Sequence, residues 1–155
     1  MSIARMLLRY AVVPVVAGLV FAGYLRGATE NRGMPGEYGV YVKTSKKLVR
    51  ILPNIVLEEK GILYVEGNNP PRFSLHDIGY FVFAGRHEMK YLTLNNLVFM
   101  SQSSLGRGRF MIGKEVGIEV KKKNDTFYTV RPKRLFGRGY YCLWINDSAW
   151  DFIVE

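Results

Sequence analysis

Two dipeptides, His76-Asp77 and His87-Glu88, place an imidazole beside a carboxylate, the pairing used in general acid–base and metal chemistry. They flank the apolar run Ile78 to Ala84. If residues 77 to 86 are extended, the two histidines stand roughly 35 Å apart at about 3.3 Å per residue, too far to share a metal unless a turn folds them back. Ser74-Leu75-His76-Asp77 has the residue types of a catalytic triad, but a triad is assembled in space and neighbours on a strand point to opposite faces. Cys142 is the only cysteine, so neither an intrachain disulfide nor a cysteine-based zinc site can form. Gly106-Arg107-Gly108-Arg109 lacks the spacing and the terminal Lys-Ser/Thr of a phosphate loop and reads as a basic turn. No catalytic residue, cofactor-binding residue, cofactor or metal ligand is assigned, and the chain is expected not to be an enzyme.

The chemistry that remains is charge. Of 155 residues 22 are Lys or Arg and 13 are Asp or Glu, a formal net charge of +9. Ten of the cations lie between Arg107 and Arg138 against three acids, Glu115, Glu119 and Asp125. A run of this kind is often only a solvated face. The sharper reading is a surface for an anion, carried by Arg107, Arg109, Lys121, Lys122, Lys123, Arg131, Lys133 and Arg134: lipid headgroups, an anionic envelope polymer or an acidic protein face.

What must position that surface begins with Tyr10 to Leu25, sixteen residues without a charge. Counted from Met6, with Arg9 bending its charged end back to the headgroups, the apolar run would be roughly 30 Å long as a helix at about 1.5 Å per residue, enough to span a bilayer. Arg5 and Arg9 precede it and no acid does, which keeps the N-terminus in the cytoplasm and sends the rest outward. A cleaved secretory signal ending at Val20-Phe21-Ala22 is the competing reading, and it exports the domain too. Nucleic acid fits the charge but not this outward address. Pro14, Gly18 and Ala22, four apart, share one helix face of small residues on which a second transmembrane helix could pack.

Residues 26–37 hold three Gly, one Pro and mixed charge, and read as a linker. Residues 38–155 are then one extracytoplasmic domain, large enough to bury a core without disulfides. Tyr and Phe total nineteen, short β-like runs recur between turn signals, and no period of 3.6 residues follows residue 25. Hairpins are expected at Tyr38–Lys43 with Lys47–Leu52, at Ile55–Glu58 with Ile62–Glu66, and at Tyr140–Ile145 with Ala149–Val154, where Trp144 and Trp150 are expected to face each other. Ile78–Ala84, apolar on both faces, belongs at the centre of a sheet. Residues 101–108 read as a loop, and Val116, Ile118 and Val120 as one half-wet strand. The expected core is Tyr38, Val40, Val56, Tyr80, Val82, Phe83, Ile118, Phe127, Tyr140, Trp144, Trp150 and Phe152.

Leu135-Phe136-Gly137-Arg138-Gly139-Tyr140 resembles the hook that precedes a late strand in Greek-key sandwiches, where a tyrosine hydroxyl pins a corner to nearby backbone; Tyr141 competes for that role. The expected fold is therefore all-β, a Greek-key-like β-sandwich behind a single N-terminal hydrophobic helix, transmembrane or signal. The expected function is a non-enzymatic accessory or structural subunit of a larger membrane-protein complex, single-pass in an inner (plasma) membrane. The alternative is a secreted or anchored module that binds an anionic polymer or lipid.

If the hydrophobic segment is a retained anchor, intact-mass analysis of the mature protein finds its N-terminal residues present. A mature chain beginning at Gly23 rules the anchor out.

Overall fold

Phe81 and Phe83 are fully buried on one face of the strand Ile78–Ala84, while Val82 and Ala84 are buried on the other. A strand apolar on both faces must be covered on both, and this one is central in its sheet. The computed structural model describes residues 34–67, 69–134 and 137–155. The expected anchor, with its Pro14, Gly18 and Ala22 face, and the linker up to residue 33 lie outside the described residues.

In chain order the strands are β1 (Gly39–Thr44), β2 (Leu48–Ile51), β3 (Asn54–Ile55), β4 (Leu57–Glu59), β5 (Ile62–Glu66), β6 (Arg72–Phe73), β7 (Ile78–Ala84), β8 (Thr93–Gln102), β9 (Gly108–Val116), β10 (Ile118–Lys122), β11 (Phe127–Pro132), β12 (Gly139–Ile145) and β13 (Ser148–Val154). The only helical segment among the described residues is a single 3-10 turn, Met89–Tyr91. The fold is all-β. One sheet has five antiparallel strands in the order β10-β11-β7-β1-β2. The second has eight, in the order β3-β13-β12-β8-β9-β5-β4, with β6 added beside β13 in parallel.

The two sheets meet over a core that includes Val40, Val42, Ile51, Phe81, Phe83, Leu94, Leu143, Trp150 and Phe152. The second sheet also buries its other face. Its two ends, β3 and β4, are separated only by Val56, so the sheet curls back towards its own start. The Asn54 amide of β3 closes the gap by donating to the Glu66 carbonyl of β5 at 2.7 Å. Inside this barrel-like half lie Val65, Leu97, Cys142 and Ala149, with Phe110, Ile112, Tyr140 and Trp144 around them.

Several expectations shift. The Lys60-Gly61 turn between β4 and β5 has two residues, both at positive φ, rather than three. Residues 103–107 are the turn of a long β8–β9 hairpin, and β9 stands where only a basic turn and loop were expected. Val116 and Ile118 belong to different sheets, because the chain crosses over at Gly117. Trp144 and Trp150 do not face each other. The turn at Asn146-Asp147 has two residues, so Trp144 pairs with Ala149 and Leu143 with Trp150. Trp150 therefore enters the sandwich core and Trp144 lies on the barrel side. Tyr38 is 69% exposed, since β1 starts only at Gly39.

The hook is formed by Tyr141, whose hydroxyl donates to the Gly137 carbonyl at 3.0 Å. Tyr140 faces the barrel instead. The same device starts β1, where the Tyr41 hydroxyl donates to the Glu37 carbonyl at 3.0 Å. In both copies a glycine two residues before the tyrosine, Gly39 (φ 152°) or Gly139 (φ 155°), takes a conformation that a side chain would strain. Tyr141→Phe should cost about 0.5–1.5 kcal/mol through the lost hydrogen bond, and Phe152→Ala about 3–5 kcal/mol through the cavity it leaves. Urea denaturation of both variants checks the ranking; a Phe152→Ala cost no larger than that of Tyr141→Phe contradicts this placement of the core.

Candidate functional site

The β10–β11 hairpin hangs on β7 and carries most of the basic segment, but its cations part into two groups. Lys121, Lys122 and Lys123 are all exposed around the turn that joins the strands. Lys121 lies 3.3 Å from Glu119 and Lys122 2.8 Å from Asp125. The Lys122–Asp125 hydrogen bond and charge raise the lysine pKa and lower that of the aspartate. β10 is an edge strand, and lysines on an edge oppose pairing with a second sheet. Arg131, Lys133 and Arg134 lie at the other end of the hairpin, where Pro132 pairs with Ile118. Arg107 and Arg109 belong to the second sheet, and Arg109 is held between Glu59 at 3.2 Å and Glu66 at 3.3 Å. The eight basic residues do not form one continuous patch.

What the fold does assemble is a basic corner at the far end of the hairpin. Lys133 and Arg134 form the wall between two clefts. One, of about 280 Å³, is lined by Leu75, Ile78, Gly79 and residues 131–134; the Arg131 guanidinium also lies 5.1 Å from the centre of the Tyr80 ring. The other, of about 520 Å³, is bounded by Asn96, Lys114, Glu115, Val116, Gly117, Lys133, Arg134 and Tyr141. Lys114, Lys133 and Arg134 make no ion pair among the described residues, so their charge faces the cleft uncompensated except by Glu115.

A bulge builds the floor of that larger cleft. Between Asn95 and Leu97 the register of β8 against β9 shifts by one residue, so that Gly113 and Lys114 together oppose Asn96. A Cβ on Gly113 would stand 2.6 Å from Asn96 Oδ1 and 3.2 Å from the Asn96 carbonyl oxygen, so a side chain there would displace the amide. The Asn96 oxygen is buried without a donor. Lys114, Asn96 and Gly117 were missed as site residues in the sequence. The sequence signals this place only through Asn95-Asn96, two residues of low strand preference that interrupt the strand-like run Tyr91 to Met100.

A buried acid lies elsewhere, inside the barrel. Asp151 is 5% exposed; it accepts the Tyr140 hydroxyl at 2.6 Å and the Asn54 amide at 3.3 Å. Burial raises its pKa more than these bonds lower it, and burial next to Asp151 also raises that of Tyr140. Cys142, opposite Asp151 on β12, is buried with its thiol pushed up to about 12, a packing residue and not a nucleophile. His76 is exposed, and Asp77 accepts from Ser45 at 3.1 Å. His87 stands edge-on to Phe83 and Trp150, and its pKa is lowered by burial. Among the described residues no three of His, Cys, Asp and Glu gather closely enough to hold a metal ion.

Because the folded pKa of Asp151 is raised, the native state holds a proton there over a window that begins near the ordinary value of 3.8 and extends upward, while the unfolded chain has lost it. Stability from this group is full below that window and falls as pH rises through it. Asp151→Asn should remove this fall, so that wild type loses stability relative to the variant as pH rises above about 4. Parallel pH profiles of urea denaturation would count against a desolvated carboxyl at this position. No protein-family model, curated protein or solved structure matches this chain.

Proposed function

We propose that the protein is a non-enzymatic, membrane-anchored accessory subunit of a larger envelope complex, and that the cleft bounded by Lys114, Lys133 and Arg134 receives an acidic face of its partner. Residues 1–25 are the single span, with the N-terminus in the cytoplasm of an inner (plasma) membrane. A Greek-key-like sandwich then stands on the outer side, and Pro14, Gly18 and Ala22 offer the close-packing face for a partner's helix. The observation that carries the reading is the convergence on one cleft of three cations, Lys114, Lys133 and Arg134, that make no ion pair among the described residues. A merely solvating charge run has no reason to converge on a concave surface, whereas an anion bound there meets donors from three directions.

The alternative, a module for an anionic polymer, draws on the outer face of the five-stranded sheet. Tyr80 and Phe127 are half-buried there, and Arg131 lies over the Tyr80 ring. A flat aromatic and cationic face suits an extended anionic chain better than a folded subunit.

Extraction in mild detergent followed by affinity purification separates the two readings. The subunit reading predicts a stoichiometric membrane partner that is lost in Lys114→Gln/Lys133→Gln/Arg134→Gln but retained in Lys121→Gln/Lys122→Gln/Lys123→Gln. Salt should weaken the association as well, because the Debye length falls from about 10 Å at 0.1 M to about 3 Å at 1 M. Association that survives both the cleft substitutions and 1 M salt removes charge as its basis. A monomer that sediments with envelope polymer favours the module.

A further inference from the structure

The ridge formed by Lys133 and Arg134 has a different chemistry on each side. The larger cleft carries the cations of the ridge, Lys114 opposite them and one acid, Glu115. The smaller cleft has no acid in its lining. Leu75, Ile78 and Pro132 are half-buried along it, and the first two pack against the sandwich core, so it offers an apolar floor below a cationic wall.

The fold fixes the base of this ridge. Lys133 N donates to the Gly117 carbonyl at 2.8 Å, which carries the β10–β11 pairing one step past Ile118 and Pro132. A Cβ on Gly117 would come within 3.6 Å of Lys133 Cδ, so the aliphatic stem of the lysine lies against the place where the chain changes sheets. Two clefts of unlike chemistry are thereby held side by side at the end of a paired hairpin.

Charge says what kind of occupant is missing. Arg131, Lys133, Arg134 and Lys114 line the two clefts with Glu115 as the only acid in either, and none of the five makes an ion pair among the described residues. Like charges gathered on one ridge repel, and an occupant that brings carboxylates relieves that repulsion. A small inorganic anion would answer the charge and leave the apolar floor wet. A purely apolar ligand would fill the smaller cleft and leave the cations without a partner. An extended chain answers both, because its side chains i and i+2 stand on one face roughly 7 Å apart at about 3.3 Å per residue.

We infer that this basic corner holds an extended acidic segment of the partner, with an apolar side chain on Leu75 and Ile78 and a carboxylate two residues away among Lys114, Lys133 and Arg134. The inference rests on the subunit reading above and narrows it to a strand or tail. A flat face would rest on the ridge and leave both floors wet, whereas side chains from one strand can enter the clefts on either side.

The test titrates the full chain, in a non-ionic detergent, against the fluorescein-labelled peptide Gly-Glu-Ser-Glu-Ser-Leu-Gly, read by anisotropy. Saturable binding is expected, weakened about tenfold or more by Lys114→Gln/Lys133→Gln/Arg134→Gln, and likewise when salt rises from about 0.1 M to about 1 M. Replacing the peptide leucine by serine should weaken binding about tenfold, and so should exchanging it with the serine before it, which turns it to the opposite face at unchanged composition. Leu75→Ala should weaken the leucine peptide and leave the serine peptide where it was, with an unchanged urea curve showing that the fold is intact. If that variant is unstable, the three peptides on the wild-type chain make the same comparison. Binding indifferent to the leucine, or displaced equally well by inorganic phosphate, leaves only an anion site and overturns the inference. A peptide that does not bind, while the membrane partner still copurifies through Lys114, Lys133 and Arg134, overturns the inference and leaves the subunit reading standing. A partner indifferent to those three substitutions removes both. Self-association of the chain that the peptide competes away assigns the corner to a second copy and overturns the inference as well.

Discussion

Strands β12 and β13 are buried on both faces, and covering both is the constraint from which the rest of the fold follows. Tyr141, Leu143, Ile145, Trp150, Phe152 and Val154 point to the five-stranded sheet, while Cys142 and Ala149 point the other way and are buried as completely. A two-layer sandwich covers only the first face. In the described structure the second is covered by the far strands of the same sheet, which curl over it until β3 approaches β5. The turns serve that curl. Positive φ at Lys60 and Gly61 lets β4 reverse tightly into β5, and the break at Val56 lets one stretch of chain supply both ends of the sheet.

Closing the barrel leaves a polar problem inside. Asn54, Asn95, Tyr140 and Asp151 sit where an apolar lumen would pack more simply, and among the described residues no cation is bonded to Asp151. The solution is a chain of hydrogen bonds across the seam: Asn54 donates to both Glu66 and Asp151, and Tyr140 to Asp151. An unpaired buried group costs about 1–3 kcal/mol, so wrong registers of β3 or β5, which would break this chain, are penalised more than the right one is rewarded. The network fixes where the curl stops. It also keeps Asp151 away from solvent, which argues for a structural role of that carboxyl.

The distribution of charge divides along the same lines. Several cations have a local partner: Lys121 with Glu119, Lys122 with Asp125, Arg109 with Glu59 and Glu66, Arg50 with Glu37. Such exposed pairs add little stability, and their effect is to cancel field. Lys114, Lys133 and Arg134 lack that cancellation, and they meet because the chain changes sheets at Gly117 and brings the end of β9 against the end of β11. The local field of the domain is thus set less by its net charge than by which cations the topology leaves unpaired.

That topology marks the limit of what the sequence discloses. β7 is legible from Ile78 to Ala84 because two-sided apolarity is a local property, and the hairpins β1–β2 and β12–β13 are legible because their turns lie next to their strands. β9 is not, since Gly108, Arg109, Gly113 and Lys114 carry no strand preference and become a strand only through their ladder to β8 and β5. The choice between Tyr140 and Tyr141 at the hook, and the separation of the two tryptophans, both turn on which face a residue takes. One residue of turn length decides that, and composition does not encode it. The basic segment fails in the opposite direction: its cations are close in sequence and apart in space, while Lys114 and Asn96 are separated from Lys133 in sequence and share its cleft. A surface that reads an anion is a property of register, and register is fixed here by the bulge at Gly113 and the crossing at Gly117, two glycines whose role shows only when the strands on either side are paired.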